Sequence, residues 1–174
     1  LSRAIDGPII HTMEHHHCTD PSHHVDDAGS FIAAVQRACT QRGLRLTPIR
    51  EHVLALIAAA GQPIKAYDLL DLVRDGDGPG AAAPPTIYRA LDFLLANGFI
   101  HKLESVNAFV ACHHPNSAQH SVPFLICSRC HSAVELEDRG IVDLLDSKAR
   151  ELGFSPQAQT LEVHGLCAAC SAKQ

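Results

Sequence analysis

The sequence predicts an α+β protein in two parts, an N-terminal winged helix-turn-helix domain and a small C-terminal α/β domain crosslinked by metal. Two observations predict it. Four helix-period stretches lead into a pair of strand-like runs, and two Cys-x-x-Cys pairs, Cys127/Cys130 and Cys167/Cys170, frame the remainder. A chain of 174 residues suits one medium domain or two small ones.

Residues 1–29 are polar, carry the cluster His15-His16-His17-Cys18 and then His23-His24, and lack apolar periodicity. They are expected to be a disordered or tag-derived tail. The only methionine is Met13, and what precedes it is read as scar or read-through sequence outside the fold. From Ser30, the residues Phe31, Ala34, Val35 and Ala38 recur at helical spacing as far as Gly43. Thr47 and Pro48 then fit an N-cap and a first helical position. That second helix carries Ile49, Val53, Leu54, Leu56 and Ile57 and stops at Gly61. A third runs from Ala66 to Arg74, followed by the flexible loop 76–80. The fourth opens at Pro84-Pro85, turns Ile87, Leu91, Leu94 and Leu95 to a core, and ends at Asn97-Gly98. Runs 99–103 and 109–112 read as two strands joined by a turn. In a winged helix-turn-helix, this order makes 86–98 the helix placed in a major groove.

Beyond Cys112 the pattern changes. Strands are expected at 124–127, 134–136 and 159–164, with an amphipathic helix from Asp138 to Leu152. A β-β-α-β unit this small buries little, so zinc and dimerisation are both expected to support it. The domain limits follow: tail 1–29, winged-helix domain 30–111, hinge 112–122, and dimerisation and metal-binding domain 123–174.

The formal charge of −5 is unevenly spread: −4 over 1–34, +2 over 35–103 and −3 over 104–174. Only the middle third is compatible with DNA contact. No apolar run is long enough to span a bilayer, and no signal-peptide pattern opens the chain. A soluble, cytoplasmic protein is expected, with no membrane partner.

Four of the seven cysteines lie in the two CxxC pairs, which favours zinc over a secreted disulfide framework. Two ligands at i and i+3 on a tight turn can face one ion, and a distant matching pair completes a tetrahedron. Adjacent disulfides or inert buried thiols are the rival readings. A thioredoxin-like redox pair lacks its strand-then-helix context before Cys127. A closed sulfur site leaves no position for substrate, and no His-x-Glu precedes Cys127, so an enzyme is not expected.

His101, Cys112, His120 and Glu135 form a second, mixed set. Each alone has an ordinary explanation as a wing residue, a small buried hydrophobe or a solvated residue. Position groups them, because they straddle the boundary between the two parts. One thiolate among nitrogen and oxygen donors favours zinc over manganese or iron. His113, His114 and His131 read as solvent-facing loop residues, and Cys18 and Cys39 as incidental. Tyr88 and Arg89 lie off the apolar stripe of the fourth helix. An Arg there can donate two hydrogen bonds to guanine, and a Tyr can reach a phosphate. Lys65, Arg45 and Arg50 are further phosphate contacts by this reading; the ordinary alternative for all five is a solvated surface. Asp71 and Arg74, at i and i+3, read as an intrahelical pair.

Several motifs carry a family resemblance. Arg45-Leu-Thr-Pro-Ile-Arg50, Ala66-Tyr-Asp-Leu-Leu70, Pro85-Thr-Ile-Tyr-Arg-Ala-Leu91 and the two CxxC pairs resemble the ferric uptake regulator family over residues 31 to 170. Tyr67–Leu72, Arg89–Leu95, Gly98–Lys102 and His164–Cys170 are similar to its zinc uptake regulator branch. The dense His-rich run that iron sensors place before the first CxxC is reduced here to His113-His114 and a separate His120. The resemblance implies a zinc-responsive repressor, a homodimer that binds double-stranded operator DNA when zinc is replete and silences zinc-import genes. It further implies two Zn2+ per subunit, structural at the four cysteines and regulatory at His101, Cys112, His120 and Glu135. Tyr67 would contact DNA, and Asp71 and Arg74 would bridge two dimers on one operator. An iron or peroxide sensor of this family, and a constitutive DNA-binding protein with purely structural zinc, are the alternatives.

Overall fold

A computed structural model describes residues 27–76, 83–115, 122–136, 138–156 and 159–173. Most of the tail expected at 1–29 and part of the loop expected at 76–80 therefore lie outside the described residues, as does His120. The first element, α1 (Ala28–Gln41), begins earlier than the apolar spacing indicates. Asp27 caps it, its carboxylate accepting from the N–H groups of Gly29 at 2.9 Å and Ser30 at 3.0 Å. Helix α2 (Pro48–Ala60) starts at Pro48 as expected. Thr47 has the extended backbone of an N-cap, yet its side chain makes no capping hydrogen bond. Proline at the first helical position has no N–H to leave unsatisfied and its ring presets the helical φ, which starts the helix without a side-chain cap. Gly61, with φ +60°, ends α2 in the left-handed region where a side chain is strained.

A two-residue strand, β1 (Ile64–Lys65), leads into α3 (Ala66–Asp75), and α4 (Pro84–Ala96) precedes the hairpin β2 (Ile100–Leu103) and β3 (Ala108–Ala111). The three strands form one antiparallel sheet in the order β1-β3-β2. Helices α1 to α4 close on it through Val35, Leu54, Leu69, Ile87, Leu91, Leu94 and Phe99, all essentially inaccessible to water. This is the winged-helix arrangement, with β2–β3 as the wing.

The second sheet has the order β5-β4-β6, with β4 (Phe124–Cys127) in the centre. Strand β5 (Ala133–Glu135) pairs with it antiparallel and β6 (Glu162–Gly165) parallel. A parallel neighbour needs a crossover, and α5 (Arg139–Glu151), capped by Asp138, supplies it. A short α6 (Ala168–Ser171) follows. Strand β6 begins later than the alternation at 159–161 suggests, because pairing can start only where β4 offers partners, and Phe124 faces Glu162.

Strand alternation divides the β4 side chains. Phe124 and Ile126 point inward and pack with Leu103 from the wing, beside Val106, Val110, Val122 and Ala133. Leu125 points outward, in register with Val134 and Val163, and both Leu125 and Val163 are exposed. Helix α5 contributes no buried residue, leaving Leu144 and Leu145 exposed. The inward cluster joins the two sheets and the outward row is free in a single chain. Leu103, completely buried at that junction, is expected to cost about 2–5 kcal/mol of unfolding free energy when replaced by alanine. Urea denaturation of Leu103→Ala measures this directly, and a loss within experimental error would mean the junction contributes little.

Candidate metal centres and nucleic-acid interface

The parallel pairing of β4 and β6 builds the first site. Cys127 ends β4 opposite Gly165, two residues before Cys167. Each CxxC is a tight turn. His131 N–H donates to Cys127 O at 2.9 Å, with His131 at φ +61°, and Cys170 N–H donates to Cys167 O at 3.0 Å. Arg129, inside the first turn, reaches across to Cys170 O and ties the two together. The four sulfurs lie within 4.8 Å of one another. Tetrahedral zinc with sulfur ligands at about 2.3 Å separates those sulfurs by about 3.8 Å; Cys130 Sγ and Cys167 Sγ are 3.7 Å apart. All four are free thiols rather than disulfides. The donor set and its spacing fit zinc.

The protons of this cluster are unevenly held. Backbone N–H groups of Cys130, Cys167 and Arg129 aim at Cys127 Sγ and bring its pKa down to about 5. Cys130 is also lowered, chiefly by the Ser132 hydroxyl. Cys170 is pushed up to about 12, first by its hydrogen bond to Cys167 and then by burial. Thiolates on one side therefore keep protons on the other, and a divalent cation would displace those protons.

The second site lies where the two sheets meet. His101 stands on β2 opposite Val110. Cys112 directly follows β3 and extends its pairing by donating N–H to Phe99 O at 3.0 Å. Glu135 ends β5 opposite Phe124. One nitrogen, one sulfur and one oxygen from these three residues lie within 4.8 Å of one another. Cys112 is completely buried and Glu135 is 7% exposed. Glu135 Oε2 lies 3.8 Å from His101 Nε2 and accepts from His113 N–H at 3.4 Å. The His101 ring meets Phe124 edge-on at 5.3 Å, and His114 N–H points at Cys112 Sγ from 3.4 Å. A buried carboxylate, an imidazole and a thiol converging on one point suit a zinc-sized cation better than water. Among the described residues three of the four expected ligands converge, and His120 lies outside them.

Two groups of residues hold this geometry without any sequence signal. Arg42 donates to Asn97 O and to Pro115 O, both at 3.0 Å, and its guanidinium lies 5.5 Å from the Phe99 ring centroid. It thereby fixes residues 112–115 to the end of α4. Glu162, on β6, accepts from the wing turn: from Glu104 N–H at 2.7 Å, Ser105 N–H at 3.1 Å and the Ser105 hydroxyl. Neither a spacing rule nor a residue class marks either contact, since the partners are over fifty residues apart.

The residues read as DNA contacts are exposed. Lys65 and Tyr67 sit at the start of α3, with Tyr67 74% accessible; Tyr88 and Arg89 lie in the first half of α4, off its buried Ile87/Ala90/Leu91/Leu94 face. Arg45 is exposed in the loop before α2. Arg50 is engaged within the fold: it stacks 3.6 Å from the Phe93 ring centroid and donates to Arg45 O. Arg74 pairs with Asp71 and with Asp75, both at 3.0 Å, on an exposed face where such pairs contribute little.

Fold and sites define a metal-binding winged-helix protein. The family model described as Ferric uptake regulator family matches residues 41–164. The zinc uptake regulation protein of Escherichia coli (strain K12) is 45% identical over 140 residues, 80% of this chain and 81% of that protein. A crystal structure of holo XcZur is 75% identical, superposes with a TM-score of 0.77, and covers 82% of this chain and 98% of its own; the apo XcZur structure, at 77% identity, gives 0.50 over 84% and 99%. A zinc uptake regulator complexed with zinc and DNA is 42% identical with a TM-score of 0.78, covering 84% and 96%. The chain belongs to the ferric uptake regulator family, in its zinc uptake regulator branch.

The lowered Cys127 pKa has a direct readout. In protein stripped of metal, thiolate absorbance is expected to show one thiol ionising near pH 5, and Cys127→Ser is expected to remove that step. A first ionisation above pH 8 would contradict this arrangement of N–H donors.

Proposed function

We propose that this protein is a zinc-responsive, DNA-binding transcriptional repressor of zinc-uptake genes, with zinc as corepressor. The observation that carries the reading is the convergence of His101, Cys112 and Glu135 at the seam between the wing and the second sheet. An ion held there binds both halves at once, so its affinity depends on their relative placement. That is the requirement for a ligand to shift a conformational equilibrium. The comparison with XcZur supports the same view. At nearly equal identity, the described arrangement is far closer to the holo form than to the apo form, as expected if it is the closed, metal-loaded conformer.

In this reading Cys127, Cys130, Cys167 and Cys170 hold a structural zinc that fixes β6 and the end of β4. His101, Cys112, His120 and Glu135 hold a regulatory zinc, giving two Zn2+ per subunit. Zinc supplies Lewis acidity and fixed coordination geometry; the residues supply the coupling. His101 moves with the wing, Cys112 with the hinge and Glu135 with the second sheet. Domain limits of 30–111, 112–122 and 123–174 match this division of labour.

Two copies are needed to present two recognition helices. The outward row Val134, Leu125 and Val163, with Leu144 and Leu145 on α5, offers the apolar face for a homodimer. Helix α4 then enters a major groove, with Arg89 and Tyr88 toward DNA and Lys65, Tyr67 and Arg45 nearby. In this reading Asp71 and Arg74, exposed on α3, would bridge two dimers on one operator. The protein acts as a cytoplasmic regulator rather than an enzyme; among the described residues no helix is long and apolar enough to cross a membrane. The iron- or peroxide-sensing alternative is disfavoured by the single thiolate in the second site.

The test uses a duplex selected from random DNA by the zinc-loaded protein, titrated at buffered free zinc. Cys112→Ser is expected to stay folded, retain one zinc per chain and lose the zinc-dependent gain in binding, about 5- to 150-fold for a typical allosteric coupling. Binding equal to wild type across the titration would sink the sensor assignment and favour a constitutive DNA-binding protein.

A further inference from the structure

Beside the apolar junction at Leu103, polar contacts among the described residues hold the wing to the second sheet at two places, and only one involves candidate metal ligands. His101 on β2 meets Glu135 on β5. Immediately after β2, the turn 104–107 meets β6. Strands β5 and β6 flank β4 on opposite edges, so the same hairpin is gripped from both edges of one sheet.

The chemistry of the second grip is specific. The Glu162 carboxylate spans two successive backbone N–H groups, Oε1 taking Glu104 at 2.7 Å and Oε2 taking Ser105 at 3.1 Å. The Ser105 hydroxyl donates to the same Oε2, and His164 Nε2 lies 2.9 Å from that hydroxyl. With Ser105 Oγ as donor to the carboxylate, His164 must carry its proton on Nε2 and donate. Burial opposes the charge on Glu162, yet the hydrogen bonds from Ser105 and Glu104 outweigh it and hold the carboxyl below its usual range. These are charge-assisted bonds, the stronger kind. Their base is rigid: beyond His164, Ser128 N–H donates to Gly165 O, and Cys167 begins the second cysteine turn. The structural zinc site therefore anchors the strand that carries Glu162.

We infer that Glu162, supported by His164, is a positioning residue that clamps the wing turn at Glu104–Ser105 in the closed conformer and so sets the free-zinc concentration at which the regulatory site closes the protein. The inference rests on the reading of the closed form as the DNA-binding one. The clamp contributes to closure whether or not zinc is present, so the ion has to supply only the remainder. Weakening it leaves the zinc ligands intact and lowers the closed fraction, which lowers the apparent zinc affinity by the same factor.

The test compares wild type with Glu162→Gln, which replaces one acceptor oxygen by an NH2 facing N–H donors, and with Ser105→Ala in the exposed turn. Two quantities are read on the full-length dimer. One is duplex binding against buffered free zinc; the other is zinc affinity of the regulatory site without DNA, by chelator competition. Both variants are expected to shift both midpoints to about tenfold higher free zinc, equivalent to about 1.4 kcal/mol, with wild-type DNA affinity restored at saturating zinc. The double variant is expected to shift no further than Glu162→Gln alone, since the two groups share one interaction. Curves overlaying wild type would overturn the inference. So would binding that stays weak at saturating zinc in both variants, which would assign these residues to folding or to the DNA contact itself. A wild type without zinc dependence would instead sink the underlying function.

Discussion

Glu135 places a carboxylate where water does not reach, at the seam between the wing and the second sheet. Burying such a group is costly unless charge or hydrogen-bond donors face it. Here the His101 ring from the wing, and Cys112 and the His113 N–H from the segment just after β3, supply that surround. The favourable state of this carboxylate thus requires the two halves to sit together. A cation accepted by the same three groups makes that requirement sensitive to metal. In the proposed function, stability and regulation would draw on one interaction.

The rest of the architecture keeps that seam in place. Strand β4 packs Phe124 and Ile126 against Leu103, so the apolar junction lies directly beside the polar one. Arg42 holds the segment after Cys112 against the end of α4. The four cysteines lie where β4 and β6 end together, and a metal held there, as proposed, would compensate for a C-terminal half with little core of its own. Helix α5 has no fully buried residue in the single chain, and its exposed Leu144 and Leu145 fit the proposal that a second copy covers them.

Much of this was legible in the sequence, and the parts that were not share a physical character. Helices α2 and α4 were readable because Pro48, Pro84 and Gly61 punctuate strong apolar spacing. The four-cysteine site was readable because its geometry is local to two turns. The mixed site could be proposed only by position and resemblance, since His101, Cys112 and Glu135 are each ordinary residues until β2, β3 and β5 assemble. Strand β1 escaped because two residues have no periodicity and gain their identity from pairing with Phe109 and Ala108. The Arg42 and Glu162 contacts escaped because a side chain bonding distant backbone leaves no pattern in the sequence. Thr47 shows the reverse: it has a cap's position and backbone but makes no capping hydrogen bond beside Pro48.

The central claim is that metal at the seam closes two halves that otherwise move apart. Small-angle X-ray scattering of the dimer tests it most directly, comparing protein with only the four-cysteine sites filled against protein with both sites filled. The account predicts a narrower, more compact particle on filling the second site, with Glu135→Ala failing to contract. Identical scattering in the two metal states, while DNA binding still rises with zinc, would contradict it.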